Sequence, residues 1–441
     1  MQDALLIEGL ESLPCPPKTR DPGPPRVQRP DRAQVRLEPV SLEDRLPTDH
    51  QARIVWAVVE TLDLSAYYDA IGARGSEPGR AAIDPAVLVA LWLYAATEGI
   101  GNGRELARRC QSDDAYRWLC GGVGVNYHTL NDFRTGHRER LDALFTQVLG
   151  RLTHAHIVTV ARVAQDGTRV RAAAGSGSFR TGPSLRAHLE AAAAHVEALK
   201  RQGDEGVCTR EEANQRRVAE DRLARVRAAL AELPLAEAAK TRKGQKASRY
   251  TEARVSTTDA DARRMKMADG GFRPAYNVQL AADTGSRAII GVMVSKSGTD
   301  AGLSVPMRQQ IKERTGLEVA EHLTDGGYTK MEEIGPALEA GVTIYRPPPP
   351  PPHQSPRATP YEPCEQDTPE VAMWRDLMGT PEARDVYKER AATIETVNAD
   401  LKTHRGLGQF RVRGIDKVMC VVLWSVLAYN LLHFARDLLQ A

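Results

Sequence analysis

The chain has 441 residues, 42% of them hydrophobic and 26% charged, with a formal net charge of +2. That length calls for two or three domains, and the composition excludes wholesale disorder. The near-neutral balance also excludes a uniformly basic polyanion binder, so any nucleic-acid surface has to be local and offset by acidic residues elsewhere.

Cys15, Cys110, Cys120, Cys208, Cys364 and Cys420 are scattered and form no C-x-x-C pair. They read as reduced packing residues, and no zinc site is expected. The first residues lack the pattern of a secretory leader, so a cytoplasmic protein is expected. Residues 418–435 are apolar but short for a membrane span and carry Asn430 and His433, which predicts a buried helix and no membrane association.

In chain order, residues 1–45 are rich in Pro, Arg and Asp and read as a flexible arm. Residues 46–155 are patterned as a small all-α domain, with helices over 54–62, 86–98, 104–119 and 129–152. Asp84 followed by Pro85 is a clear helix start. The segment from Thr129 to Arg134, with His137, Arg138 and Arg140 behind it, suits a recognition helix entering DNA. A helical bundle with a basic surface explains the same residues, and both readings stay open for Arg134, His137 and Arg138.

Period-two patterning over 156–164 predicts a strand with Asp166 at its end. Two long helices, 185–201 and 211–235, then form a helical insertion over 183–245. Strands at 276–282 and 288–294 flank the turn Asp283-Thr284-Gly285-Ser286. A helix at 301–314, a strand at 319–324, a capping box at Thr329 to Glu332 and a strand at 341–345 follow. This order indicates an α/β fold with a mixed sheet. Residues 346–370 form a proline-rich spacer, and helices over 382–404 and 416–439 close the chain.

Asp166 and Asp325 each follow a β-type run and precede small residues, Gly167-Thr168 and Gly326-Gly327. Carboxylates so placed can converge at one edge of a sheet, where glycine lets a metal or phosphate approach the backbone; an Asp-Gly pair is also a common turn. Asp283 fits a hairpin tip, and Asp259 and Asp261 fit a polar loop. A sharper cue lies between Tyr387 and Lys402. Ile394, Val397 and Leu401 make an apolar stripe, Arg390 falls within it, and Glu395 and Lys402 border it on one line. An inward arginine needs an anionic partner, in a structural ion pair or in a site.

The order Tyr387, two residues, Arg390, four residues, Glu395, six residues, Lys402 resembles the signature of insertion-sequence DDE transposases. Gln165-Asp166-Gly167-Thr168-Arg169-Val170-Arg171-Ala172 is similar to their first catalytic strand, and Leu323-Thr324-Asp325-Gly326-Gly327-Tyr328 to the second. Thr258 to Arg263, Gly270-Gly271-Phe272 and Tyr276-Asn277-Val278-Gln279 are also typical. One departure exists: the commonest signature has three residues between Arg and Glu, which leaves Glu389 as a rival to Glu395.

The resemblance implies a ribonuclease-H-like catalytic domain over 156–441 behind the all-α domain. It implies Asp166, Asp325 and Glu395 as catalytic ligands of two Mg²⁺ ions, replaceable by Mn²⁺, and Tyr387, Arg390 and Lys402 as phosphate-binding groups. The implied partner is double-stranded DNA, both element ends and target, bound by a homodimer at the nucleoid. The implied activity is recognition of inverted repeats, phosphodiester cleavage and strand transfer. An inactive DNA-binding remnant and a metal-dependent nuclease are the competing readings.

Overall fold

The computed structural model describes residues 39–73, 81–203, 209–241, 252–328, 330–351 and 359–440. Cys15, Cys208, Thr329 of the expected capping box and most of the expected arm lie outside them.

The front of the chain is helical: α1 (Gln51–Glu60), α2 (Ser65–Asp69), α3 (Pro85–Thr97), α4 (Gly103–Ser112), α5 (Asp114–Cys120), α6 (Tyr127–Gly136) and α7 (Arg138–His154). The Asp84 carboxylate accepts the Ala86 N–H and Pro85 fills the first turn of α3, as the sequence predicts. The helix expected over 104–119 is two helices. Asp113 between them is extended, and its carboxylate accepts the N–H groups of Ala115 and Tyr116, so it ends one helix and caps the next. The helix expected over 129–152 is likewise broken, at His137, whose φ of −130° and ψ of 48° are not helical.

The mixed α/β part begins with β1 (Arg162–Arg171), β2 (Phe179–Arg180), α8 (Gly182–Gly203), α9 (Arg210–Thr241) and β3 (Val255–Ser256). The strand expected over 156–164 starts later and runs further. His156 and Val160 sit at φ 57°, which interrupts extended pairing before Arg162. From Val163 to Arg171 the strand then pairs with one partner without a break, so Asp166 stands within β1 and not at its end. Between β2 and β3, which pair with each other, α8 and α9 form a hairpin with its own apolar seam of Ala192, Val196, Ala219 and Leu223.

Next come β4 (Arg263–Lys266), β5 (Phe272–Asp283), β6 (Ile289–Ser295), α10 (Ser304–Thr315), β7 (Glu321–Leu323), α11 (Ile334–Glu339) and β8 (Thr343–Tyr345). The main sheet has the order β4-β5-β1-β7-β8, with β6 also on β5. Strands β4 and β6 share one edge of β5, opposite its first and second halves. Strands β1, β4, β5 and β6 pair antiparallel, whereas β1, β7 and β8 pair parallel. From Pro274 onward β5 is buried at every position, as a strand covered on both faces must be.

The chain closes with α12 (Pro369–Gly379), α13 (Pro381–Arg390), a π-helical turn (Ala391–Glu395), α14 (Thr396–His404) and α15 (Ile415–Gln440). The helix expected over 382–404 is therefore interrupted. Helix α15 is long and apolar enough to cross a membrane, yet most of it is buried in the fold, against α1, α3, α6, α7 and β6. Its Asn430 amide bonds both the N–H and the C=O of Ile289, at 2.9 and 2.8 Å, and so completes the edge where β6 begins. Residues 42–441 make one compact unit.

Two outcomes follow from buried polar groups. Asn430→Leu would leave the N–H and C=O of Ile289 unpaired, and chemical denaturation is expected to show a loss of about 2–4 kcal/mol. On β7, His322 is fully buried with the Arg308 guanidinium at its Nδ1, and burial pushes its pKa down from 6.5 to about 3. The native imidazole stays neutral while the unfolded one takes a proton. Stability is therefore complete above about pH 6.5 and falls as pH drops from there toward 3. His322→Gln should flatten that part of the unfolding profile; an unchanged acid slope would contradict the assignment.

Candidate active site

Strands β1 and β7 run parallel as far as Ala164 opposite Leu323. Asp166 lies two residues further along β1 and Asp325 two residues past the end of β7, close enough for its charge to act on the Asp166 carboxyl. Burial pushes the Asp166 carboxyl above its ordinary value, and Asp300 and Asp325 add to the rise while Arg390 and the Gly167 N–H oppose it. The patch carries an excess of negative charge.

Arg390 at the end of α13 answers that charge. Its Nη2 donates to Glu395 Oε1 at 3.1 Å, and its Nη1 lies 3.7 Å from Asp166 Oδ2. Only 14% of the arginine side chain is exposed, and Nη1 is buried without a hydrogen-bond acceptor. Burial opposes the charge, but Tyr387, Asp166 and Glu395 outweigh it and hold the guanidinium above its ordinary value.

The π-helical turn makes this pairing possible. At about 100° per residue, an α-helix would set positions five apart about 140° from each other. In a π turn residue i bonds i+5, so 390 and 395 face the same way. Ile394, Val397 and Leu401 are buried as the stripe requires. The phasing predicted for Glu395 from a regular helix does not hold across the turn.

The other signature residues fall around this pair. Tyr387 is half-buried, with Arg390 5.9 Å from its ring centroid, and burial raises its phenol. Lys402 on α14 has its ammonium pushed down by desolvation and held up by Asp166. Glu389 points elsewhere, to Arg162 at 2.5 Å, which Glu321 also binds at 2.5 Å. Arg162 is four residues before Asp166, about 13 Å along the strand. The register that puts a carboxylate at Arg390 is thus that of Glu395.

Residues the sequence reading passed over support the site. Asp300 accepts from Asn277 at 2.6 Å, from Gln279 at 2.8 Å and from Arg169 at 2.8 Å. Asn398 on α14 reaches Asp166 at 3.4 Å. Arg346, 4% exposed, donates to the Gly326 carbonyl at 2.5 Å, and so braces the loop that carries Asp325. Asp300 and Arg346 lie in loops without periodicity; only the loop's inward charges hint at them.

The three front-domain candidates do not share a face. Arg134 turns inward, over the Trp92 ring at 4.8 Å and onto the Gly101 carbonyl. His137 packs against Tyr67 and Phe133, while Arg138 pairs with Asp416. Asp283 serves as the hairpin tip, accepting the Ser286 N–H and hydroxyl at 2.9 Å each. Asp259 and Asp261 cap the Gly414 and Ile415 N–H groups.

Two family comparisons bear on this arrangement. The family described as Transposase domain (DUF772) matches residues 40–136, and the Transposase DDE domain matches residues 363–435. The first spans most of the front helices, and the second contains Tyr387, Arg390, Glu395 and Lys402. Both matches support an insertion-sequence DDE transposase. Comparison with curated proteins and with solved structures finds no match. Asp166 and Asp325 lie between the two matched stretches.

DDE transposases depend on a divalent metal, and the donors can be tested against one. Paired aspartates in a patch of surplus negative charge suit a hard cation. Glu395 is engaged by Arg390. Among the described residues, no three His, Cys, Asp or Glu side chains gather closely enough to hold an ion. The chain therefore presents two neighbouring aspartates, with Arg390 lying between Asp166 and Glu395.

Gly167 is where the site leaves no room. A Cβ there would meet the Gln279 amide, with Asp300 Oδ1 at 2.5 Å and Asn277 Oδ1 at 2.9 Å. Gly167→Ala is expected to destabilise the protein by about 1–3 kcal/mol through overpacking, read by thermal unfolding. It should also displace Asp300; an unchanged melting curve would show that the cluster yields freely.

Proposed function

We propose that this chain is an active DNA transposase. It binds the inverted repeats at element ends as double-stranded DNA, cleaves phosphodiesters there, and transfers the freed strands into target DNA. The observation that carries this reading is Arg390 spanning from Asp166 to Glu395, with Asp325 close enough to act on the Asp166 carboxyl. A sheet of three antiparallel positions followed by two parallel ones supports a ribonuclease-H-like core within a catalytic domain of residues 156–441. The helices of residues 46–155 then serve recognition of the ends. Two ends have to meet, so a homodimer on DNA is the working assembly, at the nucleoid in the cytoplasm.

Asp166, Asp325 and Glu395 would hold divalent ions, Mg²⁺ or Mn²⁺. Two such ions supply activation of the attacking water or 3′-hydroxyl and stabilisation of the leaving oxygen. Arg390 supplies a cation that a DNA phosphate can claim from the carboxylates, since its fork binds phosphate as well as carboxylate. Giving up Glu395 to complete the oxygen set is the consequence. Tyr387 offers a hydroxyl donor and Lys402 a charge to neighbouring phosphates.

Cleavage of duplexes made from the DNA flanking the reading frame, with Mg²⁺ or Mn²⁺, tests this. Asp166→Ala, Asp325→Ala and Glu395→Ala should each slow cleavage roughly 100-fold or more, as loss of a charge-stabilising group does. Glu389→Gln should cleave at close to the original rate. The lack of a gathered three-carboxylate cluster among the described residues favours a second reading, a DNA-binding remnant without catalysis. Repeat-specific binding without cleavage under either metal would establish that one.

A further inference from the structure

A cavity of about 550 Å³ opens where the front helices meet the end of α14. Arg134 of α6, Arg109 of α4, Lys402 of α14 and Arg411 of the loop before α15 all line it. Its one carboxylate, Glu105, is already bound by Arg108 and Arg109. Among the described residues, Arg134, Lys402 and Arg411 make no ion pair. The cavity therefore gathers three cations that no carboxylate within it pairs, although Asp166 acts on Lys402 and Arg134 donates to the Gly101 carbonyl.

Such an arrangement is costly without an anion. Arg134 has its Nε buried with no hydrogen-bond acceptor. Burial and the nearby Arg411 both work against its charge, pushing its pKa down to about 10. The N-terminus of α4, a helix of ten residues, also opens here behind Asn102, and adds its positive end. The cations and the helix end at the cavity thus favour negative charge, and Lys402, which also senses Asp166, marks its border with the carboxylates.

The walls are held in place. Gly99 and Gly406, at φ 70° and 76°, meet back to back, and a Cβ on Gly99 would lie 2.9 Å from the His404 carbonyl. Arg405 donates to the Thr97 carbonyl at 2.5 Å. A seat built this way is preorganised, with little ordering left to pay for on binding.

We propose that this cavity seats a phosphodiester of the DNA backbone, contacted by Arg134 and Arg411, beside the phosphate at the carboxylates. The proposal rests on the transposase reading and extends it to two residues that link the front helices with the signature helix.

The test is fluorescence anisotropy of the full chain with a labelled duplex of the flanking DNA, repeated across a salt series. Arg411→Gln changes an exposed side chain. It is expected to weaken binding roughly threefold to tenfold and to reduce the salt slope by about 0.9, the loss of one phosphate contact. Arg411→Lys should keep the slope. Arg134→Gln should act as Arg411→Gln does, provided its melting curve is unchanged. Lys312→Gln, at an exposed pair with Glu318 outside the cavity, is the control. A slope equal to that of the unaltered protein in Arg411→Gln would overturn the seat and leave the transposase reading standing. So would saturable binding of inorganic phosphate that Arg411→Gln abolishes while duplex affinity holds. If the unaltered protein binds no duplex at any salt concentration, both fall together.

Discussion

A single guanidinium sets the terms of the site. Asp300 and Asp325 lie close enough to Asp166 that, together with burial, they disfavour its ionisation. Asp300 is neutralised by Arg169, leaving Arg390 as the cation at Asp166. Without it, Asp166 would face its neighbours with hydrogen bonds from Gly167 and Asn398 and the charge of Lys402. The position of Arg390 in turn fixes what the chain must do between residues 390 and 395.

That demand explains the π turn. The apolar residues Ile394, Val397 and Leu401 must stay buried, while Arg390 must face Asp166 and Glu395 must reach Arg390. With four residues between Arg and Glu, a regular helix satisfies the first condition and fails the last. An i→i+5 turn satisfies all of them at the cost of one irregular segment, as π turns at functional sites commonly do. The extra residue in the signature is thus a geometric matter and leaves the order of the site intact.

Much of this was legible from residue types. The cap at Asp84-Pro85, the β5–β6 hairpin and the inward Arg390 each express a local rule, and the structure follows them. Other features depend on tertiary partners that no local pattern encodes. The strand carrying Asp166 was expected too early because 156–164 alternates as well as any strand; left-handed backbone at His156 and Val160 breaks it. Asp113 and His137 split expected helices although their neighbours keep helical periodicity. Asp300 and Arg346 acquire their roles only when β5, the Gly326 carbonyl and Trp374 arrive beside them.

The remaining constraint is the joint between the front helices and the signature helix. A charged seat placed across two parts of a fold can report on the chemistry only if those parts do not slide. The Gly99–Gly406 contact, the Arg405 bond to Thr97 and the packing of α15 on α3, α6 and α7 make that joint tight. Asn430 extends it into the sheet by bonding Ile289. A cation at Arg134 is therefore held at a fixed offset from Lys402, and through it from Asp166. The front helices and the signature helix therefore hold their charged groups in one frame.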